Sequence, residues 1–411
     1  MRESPLVVVD PWLLAEGETW AGLVNQGRAT VESCSKPRCL CLGWQQSRRV
    51  TCVLAATQVK DVSFAVYVVP CFTSRGWRFR EIVMSGLRQH PAVFFVEKPE
   101  AANLSLWLPT CAPQFRALNS LGSNVAVLEE SDLPGSWPAA TRRKEPVFYF
   151  KRSWADVSNG SHSTLHHQRS PKNADRGALT FLPLAYGLWD NYTQGLLLGR
   201  PRTYDVVCTV RGHAEIQPSR TRVVQWLEEF KSSNLQRRVL VGDTGGHRRK
   251  VDTTYFDLMQ KARIVVTANP SAWTGDFRTY EALATGALVF VDELHTPAPF
   301  ALKDAEHLIV YDTHDKVGFF KKLTFYIEHP AEASRIAANG LHFVLTHHRS
   351  LSRIDYILRS VHDLLLRRDN ETVVPYTETA LEIRDSKDHE THQALLSRSS
   401  RPPLDATFFI T

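Results

Sequence analysis

Residues 262–294 read ARIVVTANPSAWTGDFRTYEALATGALVFVDEL, and the order of residue types in this stretch decides the fold. The β-branched run at 264–268 makes a buried strand. Small and polar residues then form a loop, Asp276 stands where an N-cap belongs, and a helix is predicted over 277–285. Gly286 stops that helix, and a second apolar strand at 287–291 follows at once. A strand–loop–helix–strand unit belongs to an open parallel sheet, which holds ligands outside the carboxyl ends of its strands.

The start of such a helix offers unpaired N–H groups and a positive dipole end, a seat for a diphosphate. Arg278, in the first turn, opposes that dipole unless an anion lies near it, and its guanidinium suits bidentate phosphate contact. Glu281, three residues on, shares its face and suits the paired hydroxyls of a ribose. The plainer reading is a capping Asp276 beside a solvated Arg278–Glu281 pair. The loop residues Trp273, Thr274 and Gly275 line the same end, and Trp273 can either stack on a sugar face or pack in the core.

Outward from this unit, the second half alternates cleanly. Strands are predicted at 204–210, 238–241, 263–267, 287–291 and 307–311, and helices at 220–231, 255–261, 316–327, 331–345 and 351–366. The first half alternates less regularly, with strands at 50–56, 62–69, 93–96, 125–128 and 147–150 and a helix over 76–89. Residues 156–176 are polar and predict a loop or flap, and the chain beyond Arg367 predicts a disordered tail. The expected fold class is α/β with two Rossmann-like doubly wound domains and a cleft between them: residues 1–200, residues 201–366 and a tail at 367–411.

Composition permits this. A chain of 411 residues, 43% hydrophobic and 22% charged, has material for two cores. Its net charge of +6 is spread along the chain, which argues against a nucleic-acid stripe. No apolar run reaches 18 residues, so no transmembrane segment is expected, and as written the sequence predicts a cytoplasmic protein. Four N-x-[ST] triplets, at Asn103, Asn159, Asn191 and Asn370, fit the Golgi or secretory pathway if an N-terminal anchor is missing. The seven cysteines complete no metal-ligand spacing; no metal is assigned, and buried free thiols are expected.

The segment DFRTYEALATGALVFVDE, 276–293, resembles the donor-site signature of group-1-type glycosyltransferases of the two-domain GT-B type, most closely the spore-maturation-protein-like branch. Exostosin-type transferases are a neighbouring family with a related pattern. The similarity extends more thinly over 204–358, through YDVVCTVRGH, RRVLVGD and HLIVYD. It implies a hexosyl- or pentosyltransferase that moves a sugar from a nucleotide-diphosphate sugar, the donor substrate, to a carbohydrate or protein acceptor, with no further cofactor. Carried over, Glu281 falls on the ribose and Asp276 and Arg278 on the sugar-diphosphate end. The larger superfamily places an acidic residue eight positions before the ribose Glu, where this chain has Trp273.

Arg211, at the carboxyl end of the 204–210 strand, suits a contact that stabilises a departing diphosphate. No D-x-D triplet occurs in the sequence, which argues for a metal-independent route in which guanidinium groups and a helix dipole replace a cation. For a general base, Asp190 in YGLWDNYT and His162 are the candidates in the first half. The competing expectations are a degenerate binding protein of the same fold and an exostosin-like transferase of the secretory pathway; a dehydrogenase or epimerase lacks its G-x-G-x-x-G.

Overall fold

The computed structural model describes residues 30–33, 39–44, 47–54, 63–71, 77–112, 120–122, 124–130, 147–151, 179–196, 201–210, 217–242, 253–269, 276–292 and 300–369. The elements in chain order begin with three antiparallel strands, β1 (Thr30–Ser33), β2 (Cys39–Trp44) and β3 (Ser47–Leu54). The sequence reading placed residues 50–56 in the first parallel sheet, and the structure corrects this: β3 pairs antiparallel with β2, in a separate sheet of three strands.

The first parallel sheet contains β4 (Phe64–Val68), β5 (Val93–Phe95), β6 (Leu104–Trp107), β7 (Val125–Glu129), β8 (Val147–Lys151) and β9 (Leu179–Pro183), in the order β5-β4-β6-β7-β8-β9. The helix α1 (Trp77–Gln89) crosses from β4 to β5. The second sheet contains β10 (Tyr204–Cys208), β11 (Val239–Val241), β12 (Ala262–Val266), β13 (Leu288–Asp292) and β14 (Ile309–Tyr311), in the order β11-β10-β12-β13-β14, all parallel. Its helices are α2 (Pro218–Ser233), α3 (Thr253–Gln260), α4 (Phe277–Ala284), α5 (Lys316–Glu328) and α6 (Pro330–His347), and α7 (Ser350–Asp369) closes the described chain. Two doubly wound α/β units is the architecture expected from the sequence. The expected flap at 156–176 lies outside the described residues, as does the expected tail at 367–411 except for residues 367–369, which end α7.

Both sheets reverse their strand order at the same relative place, between first and third strands, and such switch points open a crevice at the carboxyl ends. In the first unit a Cys71–Cys111 disulfide, with Cα atoms 4.9 Å apart, links the segments that leave β4 and β6 at that point. This corrects the expectation of free thiols; Cys208, buried in β10, is free. Proximity of two strand exits, invisible in a spacing of 40 residues, is what brings the pair together.

The units share a continuous apolar cluster. Phe79 of α1 and Leu188 join Tyr280 and Leu283 of α4 and Ile354 and Leu358 of α7 in one buried group. The last helix, α7, lies against α1 of the first unit. The crossing is close because Gly86 has no Cβ: one built there would lie 2.6 Å from Ile354 Cγ1 and closer still to the Ser350 carbonyl. Leu188 N donates to His348 O (2.7 Å) and Ser350 Oγ to Leu188 O (3.1 Å), so backbone bonds also cross between the halves.

Candidate functional site

The site is built where α4 begins, on the carboxyl side of the second sheet. Asp276 occupies the N-cap position with extended backbone, but its carboxylate caps nothing. Two guanidinium groups outcompete the amide donors: Arg278 Nη1 donates to Asp276 Oδ2 at 2.7 Å, and Arg220 Nη2, from α2, donates to the same oxygen. The simple cap read from the sequence is therefore corrected. Arg220 is further fixed by its Nε donating to Ala268 O (2.9 Å) at the exit of β12. Among the described residues, two guanidiniums thus bond to one carboxylate at a helix N-terminus.

Burial governs both cations. Arg220 is 6% and Arg278 8% exposed. Burial pulls the Arg220 guanidinium below its ordinary range despite Asp276. Burial also acts against Arg278, but Asp276, Tyr255 and Glu281 together outweigh it and raise its pKa, so it stays charged. Arg278 Nε has no hydrogen-bond partner among the described residues. The Arg278 guanidinium carbon lies 5.9 Å from the centre of the Tyr255 ring, within cation–π range.

Asp292, the last residue of β13, completes this edge. Its Oδ1 accepts from Asn269 N (2.8 Å), and burial pushes its carboxyl up to about 7 against the pull of that amide and of Arg220. Thr209 and Thr267, which follow β10 and β12 at the switch point, have buried hydroxyls without a partner among the described residues.

Glu281 lies one turn along α4 and is buried at 1% exposure. Its Oε2 accepts from Tyr255 OH of α3 (2.9 Å) and its Oε1 from Arg78 Nη1 of α1 (3.2 Å). Arg78 comes from the first unit, donates also to Tyr192 OH (3.2 Å) and lies over the Phe277 ring, 5.5 Å from its centre. Phe277 in turn stacks on Tyr186, with ring centres 3.7 Å apart. The start of α4 thus faces the first unit directly.

The structure brings Asp276, Arg278 and Glu281 together on α4. Arg211, Trp273, Thr274, Gly275 and His162 lie outside the described residues. Asp190 is buried on the 3-10 turn Asp190–Gly195, where its carboxylate accepts from Gln89 Nε2 (2.6 Å), Ser85 Oγ (3.4 Å) and Arg349 Nε (3.2 Å). Those bonds tie α1 to the junction before α7. Arg220, Arg78, Tyr255 and Asp292 were not singled out from sequence. Arg220 carried a usable signal: it sits three residues before Val223 and seven before Leu227, on the buried stripe of α2.

Fold and site together define an α/β protein with two buried guanidiniums gathered at a helix start on the carboxyl edge of a parallel sheet. Residues 220–359, which include Arg220 and all of α4, match the family model described as glycosyl transferase-like. The structure is similar to a glycosyltransferase from Rickettsia africae (10% identity, TM-score 0.45, covering 75% of this chain and 100% of that one). It is also similar to the Anabaena protein Alr3699/HepE in complex with UDP (9%, TM-score 0.39, 73% and 99%). A third likeness is to sucrose-phosphate synthase from Thermosynechococcus elongatus (14%, TM-score 0.38, 62% and 76%). A search of curated protein sequences finds no match. Among the described residues no helix is long and apolar enough to cross a membrane, and no group of three or more His, Cys, Asp or Glu is placed to hold a metal ion.

Proposed function

We propose that this chain is a glycosyltransferase that moves a hexose or pentose from a nucleotide-diphosphate sugar to a carbohydrate or protein acceptor, by a metal-independent route. The observation that carries the reading is the pair of buried guanidiniums, Arg220 and Arg278, sharing the single carboxylate of Asp276 at the start of α4. A diphosphate entering there replaces a one-carboxylate partner with a group of greater charge, and the helix dipole adds to the attraction. As the bond from sugar to diphosphate breaks, negative charge grows on the leaving oxygen, where fixed cations in a dry site stabilise it most. The match of residues 220–359 to the glycosyl transferase-like family supports the same reading.

In this reading Glu281 receives the ribose hydroxyls. Its two oxygens each hold one hydrogen bond in the structure, to Tyr255 and Arg78, and a carboxylate accepts about four. Because Glu281 is enclosed, nucleotide binding requires α1 to draw back from α4 and Arg78 to release it. Trp273, Thr274, Gly275 and Arg211 are assigned to the donor's sugar-diphosphate end, while Asp190, buried and bonded to Gln89, Ser85 and Arg349, serves the junction of the two units.

The test is thermal unfolding of the full chain with UDP-, GDP- and dTDP-linked sugars. A ligand at about one hundred times its Kd stabilises the folded state by about 2.7 kcal/mol, a rise of several degrees in Tm. At least one donor is expected to give this rise, and Arg278→Lys and Glu281→Gln to reduce it strongly. Absence of a shift with every donor overturns the reading. Release of free sugar from the stabilising donor then separates a turning-over enzyme from a binding protein of the same fold.

A further inference from the structure

Two features stand apart from the donor site and agree with each other. The first is the Cys71–Cys111 disulfide. Disulfides persist where the compartment is oxidising and are rare in the cytosol. The second is Asn191, the first residue of the triplet Asn191-Tyr192-Thr193. Its neighbours are sunk in the core: Trp189, Tyr192, Thr193 and Leu196 are all buried, at 4% exposure or less. Asn191 faces solvent, and its side-chain amide makes no hydrogen bond among the described residues. A glycan is large and hydrophilic, so an acceptor asparagine must leave the folded surface outward. Asn191 meets that demand beside the buried Trp189, Tyr192 and Thr193. Of the other triplets, Asn103 is exposed but its Nδ2 donates to Ser63 O at 3.2 Å, and Asn159 and Asn370 lie outside the described residues.

We propose that Asn191 carries an N-linked oligosaccharide and that the chain matures in an oxidising, glycan-transferring compartment. The donor is an oligosaccharide on a polyprenyl diphosphate. Asn191 Nδ2 bonds to the anomeric carbon as the bond from that carbon to the diphosphate oxygen breaks; the diphosphate leaves with the electron pair, and the amide loses one proton to a base of the transferring enzyme. In the same compartment the Cys71 and Cys111 thiols give up two electrons and two protons to a protein or small-molecule disulfide, which is reduced to two thiols.

The experiment takes the full chain purified from its own cells. Peptide N-glycosidase in heavy-oxygen water converts a glycosylated asparagine to a labelled aspartate. The peptide carrying Asn191 is expected to show that label, and an unmodified Asn191 peptide overturns the proposal. Alkylation before and after reduction gives the second readout. Cys71 and Cys111 are expected to react only after reduction, and free reaction of both beforehand also overturns it. Asn191→Gln, an exposed substitution that leaves the core in place, is expected to remove one glycan-sized step in mobility; an unchanged mobility counts against the site.

Discussion

At the scale of single residues, Asp292 is the group whose charge state is set most clearly by its surroundings. Its ordinary pKa is 3.8, and burial, helped by the Asp276 charge and opposed by the Asn269 amide and Arg220, raises it to about 7 in the folded chain. Between those values the native state binds a proton that the unfolded chain has released. Stability therefore falls as pH rises through that window, and the full cost of the buried charge is present above it. Asp292→Asn removes the titration while keeping an acceptor for the Asn269 amide. Measured by thermal unfolding, the variant is expected to melt above the wild type at about pH 8, with the gap closing toward about pH 5. A gap that stays constant across this range shows that Asp292 is not the group responsible. The same neighbourhood explains the arginine in the first turn of α4: the anion it needs is supplied in the resting protein by Asp276, with Arg220 held on the same oxygen.

At the scale of elements, the contact between α1 and α7 depends on a missing side chain. Gly86→Ala places a methyl against the Ser350 carbonyl and Ile354, backbone and packed core with little freedom to give. Overpacking of this kind costs about 1–3 kcal/mol, and the measured Tm is expected to fall while Gly242→Ala, whose added Cβ meets nothing within 4 Å, leaves it nearly unchanged. Equal effects from both substitutions would show that the helix contact is looser than the geometry gives. Elements of this kind were unevenly legible in the sequence. The second sheet was readable because its strands, such as VLV, ARIVV and LVFVD, are apolar runs set between well-marked helices. In the first unit β6 and β9 escaped. LSLW is four residues with a serine at its centre, and that serine is buried because its Oγ donates to Leu121 O (2.7 Å). LTFLP ends in proline, which reads as a loop until an ordered ladder with β8 is seen. At the site, Asp276, Arg278 and Glu281 were legible because they lie within one helical start. Arg78 reaches Glu281 across 203 positions, a meeting that no local spacing encodes.

At the scale of the whole molecule, the Arg78–Glu281 pair makes the proposed donor site and the packing of the two units one question. Glu281 is buried and Arg78 half-buried, with side-chain exposures of 2% and 14%. Closed in this way, Glu281 is held by the first unit, and a nucleotide that needs the same carboxylate pays for breaking that contact out of its own binding free energy. Arg78→Met keeps much of the side-chain bulk over Tyr192 and Phe277 while removing the charge. Two effects of opposite sign are then expected. The unliganded variant melts lower, because a buried carboxylate has lost its bonded cation and keeps, among the described residues, the Tyr255 hydroxyl bond and the nearby Arg278 charge. Its affinity for the stabilising donor rises about fivefold, the lower end of usual coupling free energies, because the competing closed contact is gone. Calorimetric titration of donor into both proteins, alongside their melting curves, reads the two effects separately. Weaker donor binding together with the lower melting temperature would mean that Arg78 holds the donor itself, and that the two units close over the nucleotide instead of competing with it.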